Sequence, residues 1–131
     1  MKDKRVYSIN REGRIIDKGV YDDFNFYIVS YGSHPCVYIE IPPEHEFYKK
    51  HYDDIEGFQC HGGLTYSESY LLDMKDSWFI GWDYAHYTDY TFYPTNVDEL
   101  WSDFLSKHNE VGHMWTLEEL LEETLLIMKQ L

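Results

Sequence analysis

Residues 59–90 read QCHGGLTYSESYLLDMKDSWFIGWDYAHYTDY, which puts His61 directly before Gly62-Gly63 and gathers Asp83, His86 and Asp89 within seven residues. Imidazole and carboxylate groups most readily bind metals or move protons near neutral pH, and paired glycines let a ligand approach the backbone closely. Together His61, Asp83, His86 and Asp89 supply imidazole nitrogens and carboxylates in a mixture that suits zinc, manganese or iron, so a divalent metal is the cofactor to test for. Asp83, His86 and Asp89 would share one face of a helix but alternate across a strand, and the surrounding composition argues for strand followed by loop. The structural alternative is a hydrogen bond between His61 and Asp83 on neighbouring strands, setting the register of a sheet. Gly62-Gly63 also has two readings. Its N–H groups could cradle a phosphate, although no lysine follows as in a phosphate-binding loop, or it could mark a bulge or a close approach of two backbones.

A nucleophile is harder to assemble. Cys60 precedes His61 directly, but neighbours on a strand point to opposite faces. Ser67 could be aimed at His86, yet no G-x-S-x-G elbow marks it. No catalytic residue is assigned on this basis. The aromatic surplus suggests contact instead: six of the twelve residues 82–93 are aromatic, and a loop cannot bury them all. Trp82, Tyr84, Tyr87, Tyr90 and Tyr93 are therefore candidate anchors for a partner protein or a homodimer, with the interleaved acids facing a basic surface.

The elements that must position these groups are read from periodicity. Two short apolar runs around Glu12-Gly13 predict a first hairpin. Residues 24–32 and 36–41, rich in aromatic and β-branched types and separated by Ser33-His34-Pro35, predict a second antiparallel pair that ends at Pro42-Pro43. QCHGGLTYS and SWFIGWDY predict a third pair, joined by SESYLLDMKD as a loop. The period then changes to that of a helix. Asn96 with Glu99, and Val97, Leu100, Trp101, Phe104 and Leu105 on one face, predict one amphipathic helix; Thr116 with Glu119 is a capping box that opens another. The expected fold class is α+β, an antiparallel sheet covered by two C-terminal helices, in one domain spanning 1–131.

Composition bounds what such a fold can do. At 131 residues and 44% hydrophobic, the chain can bury one core without staples. Lys and Arg number 11 against 24 acids, for a net charge of −13. Six of the basic residues fall within the first twenty positions, so the remainder is strongly acidic. This charge opposes direct binding to nucleic acid or an anionic membrane face and attracts basic proteins. No apolar run reaches the length of a membrane span, and the charged start is not a signal sequence, so a cytoplasmic location in the host cell is expected. There Cys36 and Cys60 would stay reduced and serve as small buried apolar residues.

The motif His61-Gly62-Gly63-Leu64-Thr65-Tyr66-Ser67, followed by Trp78-Phe79-Ile80-Gly81-Trp82-Asp83-x-Ala85-His86-x-x-Asp89, resembles a pattern found in small proteins carried by phages, prophages and other mobile elements. Ile41-Pro42 and the run Tyr48-Lys49-Lys50-His51-Tyr52-Asp53-Asp54-Ile55 extend the resemblance over about residues 39–90. Tyr84 departs from the family, which often carries cysteine there. The resemblance implies a mobile-element origin and no particular reaction. Acidic proteins of such origin commonly disable a host defence protein by occupying its surface, as acidic DNA-mimicking anti-CRISPR inhibitors do, so an accessory protein that binds and redirects a host protein is the first expected function. The alternative is a small-molecule or nucleotide site, or a metal-assisted hydrolase, centred on His61, Gly62, Gly63, Asp83, His86 and Asp89.

Overall fold

Aromatic and β-branched runs form strands wherever a turn of the right geometry lets them meet, and five do so. The structure, a computed structural model, describes residues 5–9, 11–86, 88–91 and 112–131. Its strands are β1 (Arg14–Tyr21), β2 (Phe24–Ser30), β3 (Pro35–Ile41), β4 (Tyr66–Leu71) and β5 (Met74–Asp83), and its helix is α1 (Leu117–Met128). The sheet is antiparallel throughout, in the order β1-β2-β3-β5-β4. The α+β class and the β2–β3 pairing are as the sequence predicts. Of the two expected helices, α1 lies where the capping box puts it; the other, at 96–105, falls outside the described residues.

Two expectations about the hairpins are corrected. The Glu12-Gly13 turn does not form one: β1 begins after it and pairs with β2 across Asp22-Asp23, with Tyr21 opposite Phe24. The longer runs on either side of Asp22-Asp23 have more ladder to gain than the short run before Glu12. Residues 5–9 instead fasten to the sheet end, where Ser8 N–H donates to the Gly32 carbonyl (3.0 Å) and Ser30 Oγ to the Val6 carbonyl (2.6 Å). SESYLLDMKD, expected as a loop, is the β4–β5 hairpin itself, with Leu71 opposite Met74. Conversely, the stretch before Thr65 is loop and turn, because Gly62 and Gly63 adopt positive φ (69° and 86°), which no strand continues through.

Asp22 and Asp23 both hold positive φ (50° and 67°), the backbone of a two-residue turn that follows the right-handed twist of its strands. Glycine suits the second position better than aspartate. Asp23→Gly is therefore expected to stabilise the protein by about 0.5–1 kcal/mol, read as a higher urea midpoint at unchanged slope.

Side-chain alternation divides the sheet into two faces. One carries Phe26, Ile28, Val37, Ile39, Ile80 and Trp82, and α1 packs on it through Leu120, Ile127 and Met128. Each of these fully buried apolar side chains contributes roughly 1.5–3 kcal/mol. The other carries a smaller cluster of Val29, Cys36, Tyr38, Leu71 and Phe79, edged by Tyr27, Tyr31 and Tyr66. Within β5, Gly81 lies opposite Tyr38, and a Cβ there would come within 2.4 Å of the Tyr38 ring. Its missing side chain seats that ring and lets the strand run on to Asp83. Among the described residues no helix is long and apolar enough to cross a membrane.

Candidate functional site

At the end of β5 the chain leaves the sheet through Tyr84 and turns back on itself, the Asp89 N–H donating to the His86 carbonyl (2.8 Å). This turn brings Asp89 alongside the segment that leads into α1. Tyr90 N–H donates to the His113 carbonyl (2.9 Å) and His113 N–H to the Thr88 carbonyl (2.7 Å), so two short backbone bonds fix the approach. The capping box then starts α1: Thr116 Oγ1 accepts from the Glu119 N–H (3.2 Å) while Glu119 Oε1 accepts from the Thr116 N–H (3.0 Å). Trp115, immediately before the cap, is thereby aimed inward, and the helix carries Glu123 to the same place.

Asp89 is the hub. Its side chain is 1% exposed, and both carboxylate oxygens lie 2.8 Å from His61 Nε2. Oδ2 also accepts from the His86 N–H (3.0 Å) and lies 3.2 Å from His86 Nδ1, while Oδ1 accepts from Trp115 Nε1 (3.0 Å). Burial alone would push this carboxyl up; the hydrogen bonds from His61, the His86 backbone and Trp115 outweigh it and hold it below its ordinary value. His61 lies flat on Tyr84, with ring centroids 4.4 Å apart and planes 18° apart, and meets the rings of Trp115 and His86 edge-on.

Two further carboxylates flank this group. Glu123 Oε1 is 3.7 Å from His61 Nδ1 and accepts from the Tyr84 hydroxyl (2.8 Å), which in turn accepts from Trp82 Nε1 (3.1 Å). Burial drives the Tyr84 hydroxyl far above the usual tyrosine range, so it stays a neutral donor. Asp83 Oδ1 stands 3.9 Å from His86 Nδ1. Among the described residues the ion-pair partners of Asp83, Asp89 and Glu123 are imidazoles.

The expected bond between His61 and Asp83 is not made. His61 lies in a turn rather than on a strand and is bound to Asp89, 28 positions away, while Asp83 accepts from Thr65 Oγ1 (2.9 Å) and the Ala85 N–H (3.2 Å). Three of the four predicted ligands do converge: one donor atom from each of His61, His86 and Asp89 lies within 4.8 Å of the others, with Asp83 just outside. Gly62 has a steric role, since a Cβ there would stand 2.1 Å from the His86 ring, whereas Gly63 has open space around it.

The aromatic anchors fare differently. Trp82 and Tyr84 are 1% and 0% exposed, so they are not surface anchors; strand alternation and the Tyr84 N–H bond to the Pro35 carbonyl turn them into the core. Tyr90 is half-buried and meets Tyr7 edge-on at 5.2 Å. Tyr87 and Tyr93 lie outside the described residues. Trp115 and Glu123 belong to the site although sequence reading passes over them. The signal for Trp115 was its place just ahead of the capping box; nothing local marked Glu123 among the helix acids.

Both cysteines are free thiols, Cys36 buried and Cys60 half-buried, and burial pushes each up to about 12. A thiolate nucleophile beside His61 is thus disfavoured. In the native protein at pH 8 both are expected to resist a thiol reagent that labels them promptly once urea unfolds the chain; fast labelling of native Cys60 would contradict this.

Comparison of the chain with protein-family models, curated proteins and solved structures gives no match. The functional reading therefore rests on the geometry of the cluster.

Proposed function

We propose that the protein binds a divalent metal, zinc foremost, through His61, His86 and Asp89, and presents it to a small-molecule substrate. The observation that carries this reading is the convergence of three ligating atoms within 4.8 Å, flanked by the carboxylates of Asp83 and Glu123. Two imidazoles and a carboxylate are a common ligand set for zinc and other transition metals, and three protein ligands leave a position for water or substrate, the arrangement of metal sites that activate water.

The surroundings fit such a role. On binding, His61 and His86 would turn lone pairs toward the cation. Glu123, 3.7 Å from His61 Nδ1, is then placed to accept from that nitrogen, and Trp115 and the His86 N–H keep the Asp89 carboxylate oriented. A screen of thermal unfolding against Zn, Mn, Co and Mg chlorides tests this. At a metal concentration 100 times the dissociation constant, stabilisation is about 2.7 kcal/mol and the expected rise in Tm is on the order of 10 °C. His86→Ala should remove the rise, and a flat response of the unmodified protein to every ion would remove the proposal.

A second reading, an accessory protein that covers a basic surface of a host protein, is favoured by the outward side of α1. Leu126 is 63% exposed and Leu125 37%, beside the exposed Glu118 and Glu122, in a chain of net charge −13. This suits a basic amphipathic helix, and it matches what the mobile-element resemblance implies. Binding of a labelled basic amphipathic peptide should be lost in Leu126→Ser and weaken with salt; no binding at low salt would remove it.

A further inference from the structure

At the end of the sheet, mainly on the face turned away from α1, lies an open surface cavity of about 450 Å³ lined by Tyr31, Tyr38 and Tyr66, with His34, Thr65 and Asp83 among its polar groups. That size lies within the range of ligand pockets. We infer that this cavity binds an amino-substituted heteroaromatic ring, a nucleobase or nucleoside without phosphate, and that it is the substrate chamber of the metal centre. Only the second half of this inference rests on the metal reading.

The link between cavity and centre is Asp83. It lines the cavity, and its Oδ1 stands 3.9 Å from His86 Nδ1. His34, on the cavity wall, feels the charges of both Asp83 and Asp89. His61, His86 and Asp89 do not themselves line the cavity, so Asp83 is the residue through which a bound ligand would reach that group.

The class of ligand follows from the lining. Tyr38 and Tyr66 meet edge-on with centroids 4.9 Å apart, and the Tyr31 and Tyr38 hydroxyls are hydrogen-bonded at 3.0 Å. Burial raises all three phenols above their ordinary range, so they remain neutral; Tyr38 is 4% exposed and the Tyr66 hydroxyl donates to the Tyr70 carbonyl (2.6 Å), so the half-buried Tyr31 and Tyr66 supply the accessible ring surface. Each Asp83 oxygen accepts one internal bond, Oδ2 from Thr65 Oγ1 and Oδ1 from the Ala85 N–H, and retains acceptor capacity. Two adjacent acceptors match a ring N–H beside an exocyclic amino group, the edge that guanine carries, whereas the amino groups of adenine and cytosine flank an unprotonated ring nitrogen. His34 is held with Nδ1 2.9 Å from Ser33 Oγ and its ring stacked with Tyr31, and burial depresses its basicity. Arg11 and Asp83 both line the cavity, so the lining carries one basic and one acidic group, and in a chain of net charge −13 a phosphate is disfavoured.

The test is a calorimetric titration of the full chain with cytidine, adenosine, guanosine, uridine and the corresponding 5′-monophosphates, once with EDTA and once with zinc. In EDTA guanosine should bind roughly tenfold or more tightly than adenosine, cytidine and uridine and than its own monophosphate, since a site built around paired acceptors rejects a ligand lacking the paired donors. Asp83→Asn and Tyr66→Ala should each weaken that binding by roughly tenfold, with far-UV spectra confirming that both fold. Preference for monophosphates, equal binding of uridine, or no binding of any nucleoside at millimolar concentration would overturn the inference. Binding that survives EDTA keeps the cavity assignment even if zinc fails to bind, and zinc binding without nucleoside binding overturns the cavity alone.

Discussion

Asp89→Ala is expected to destabilise the metal-free protein by about 3–5 kcal/mol, a large share of the stability of a domain this size. The carboxylate is 1% exposed and holds together groups from three parts of the chain: His61 in the turn before β4, His86 after β5, and Trp115 ahead of α1. Removing it leaves the Trp115 indole N–H, the His86 N–H and the imidazole N–H groups without an acceptor, and the desolvation cost of those groups is then unrecovered. Urea unfolding followed by tryptophan fluorescence reads the loss. A change below about 1 kcal/mol would mean that the donors find other partners and that Asp89 is not the hub. The pH dependence has a definite sign. Because the folded carboxyl sits below its unfolded value, its contribution is present above about pH 4 and declines as pH falls through the folded value. Asp89→Asn should lack this acid-sensitive component.

Gly62→Ala is expected to lower metal affinity by on the order of 100-fold, the upper range for disturbing what supports a ligand. A methyl at position 62 would stand 2.1 Å from His86 Cε1 and 2.3 Å from Nε2, far inside van der Waals contact, so the imidazole must leave its place beside Asp89. Gly63→Ala supplies the comparison. Both glycines hold positive φ, but nothing lies within 4 Å of a Cβ at 63, so that substitution costs only backbone strain of about 1–2 kcal/mol and should leave the metal response intact. If the two variants lose metal equally, the effect is strain in the turn and not displacement of His86.

What was legible in the sequence was what neighbours decide. The β2–β3 pair follows from composition on either side of Ser33-His34-Pro35, and the start of α1 follows from Thr116 and Glu119, whose reciprocal bonds span three positions. The β1–β2 turn was hidden because Asp22-Asp23 takes up positive φ without the glycine that usually signals it. The candidate ligands were nameable by type, but not their partners. His61 was matched to Asp83 on an assumed strand, whereas glycine conformations at 62 and 63 take it off the ladder and deliver it to Asp89. Trp115 and Glu123 join the same group through contacts spanning 26 and 39 positions, Trp115 with Asp89 and Glu123 with Tyr84, which no local pattern encodes. The aromatic run misled for the same reason: alternation, not richness, decides exposure, and it places Trp82 and Tyr84 inside.

The most direct measurement is a zinc titration of chelator-stripped protein by isothermal calorimetry, with metal content checked by elemental analysis. The account predicts one zinc per chain and loss of that binding in both His61→Ala and His86→Ala while the far-UV spectrum is kept. Absence of stoichiometric zinc, or zinc binding that both variants retain, would contradict it.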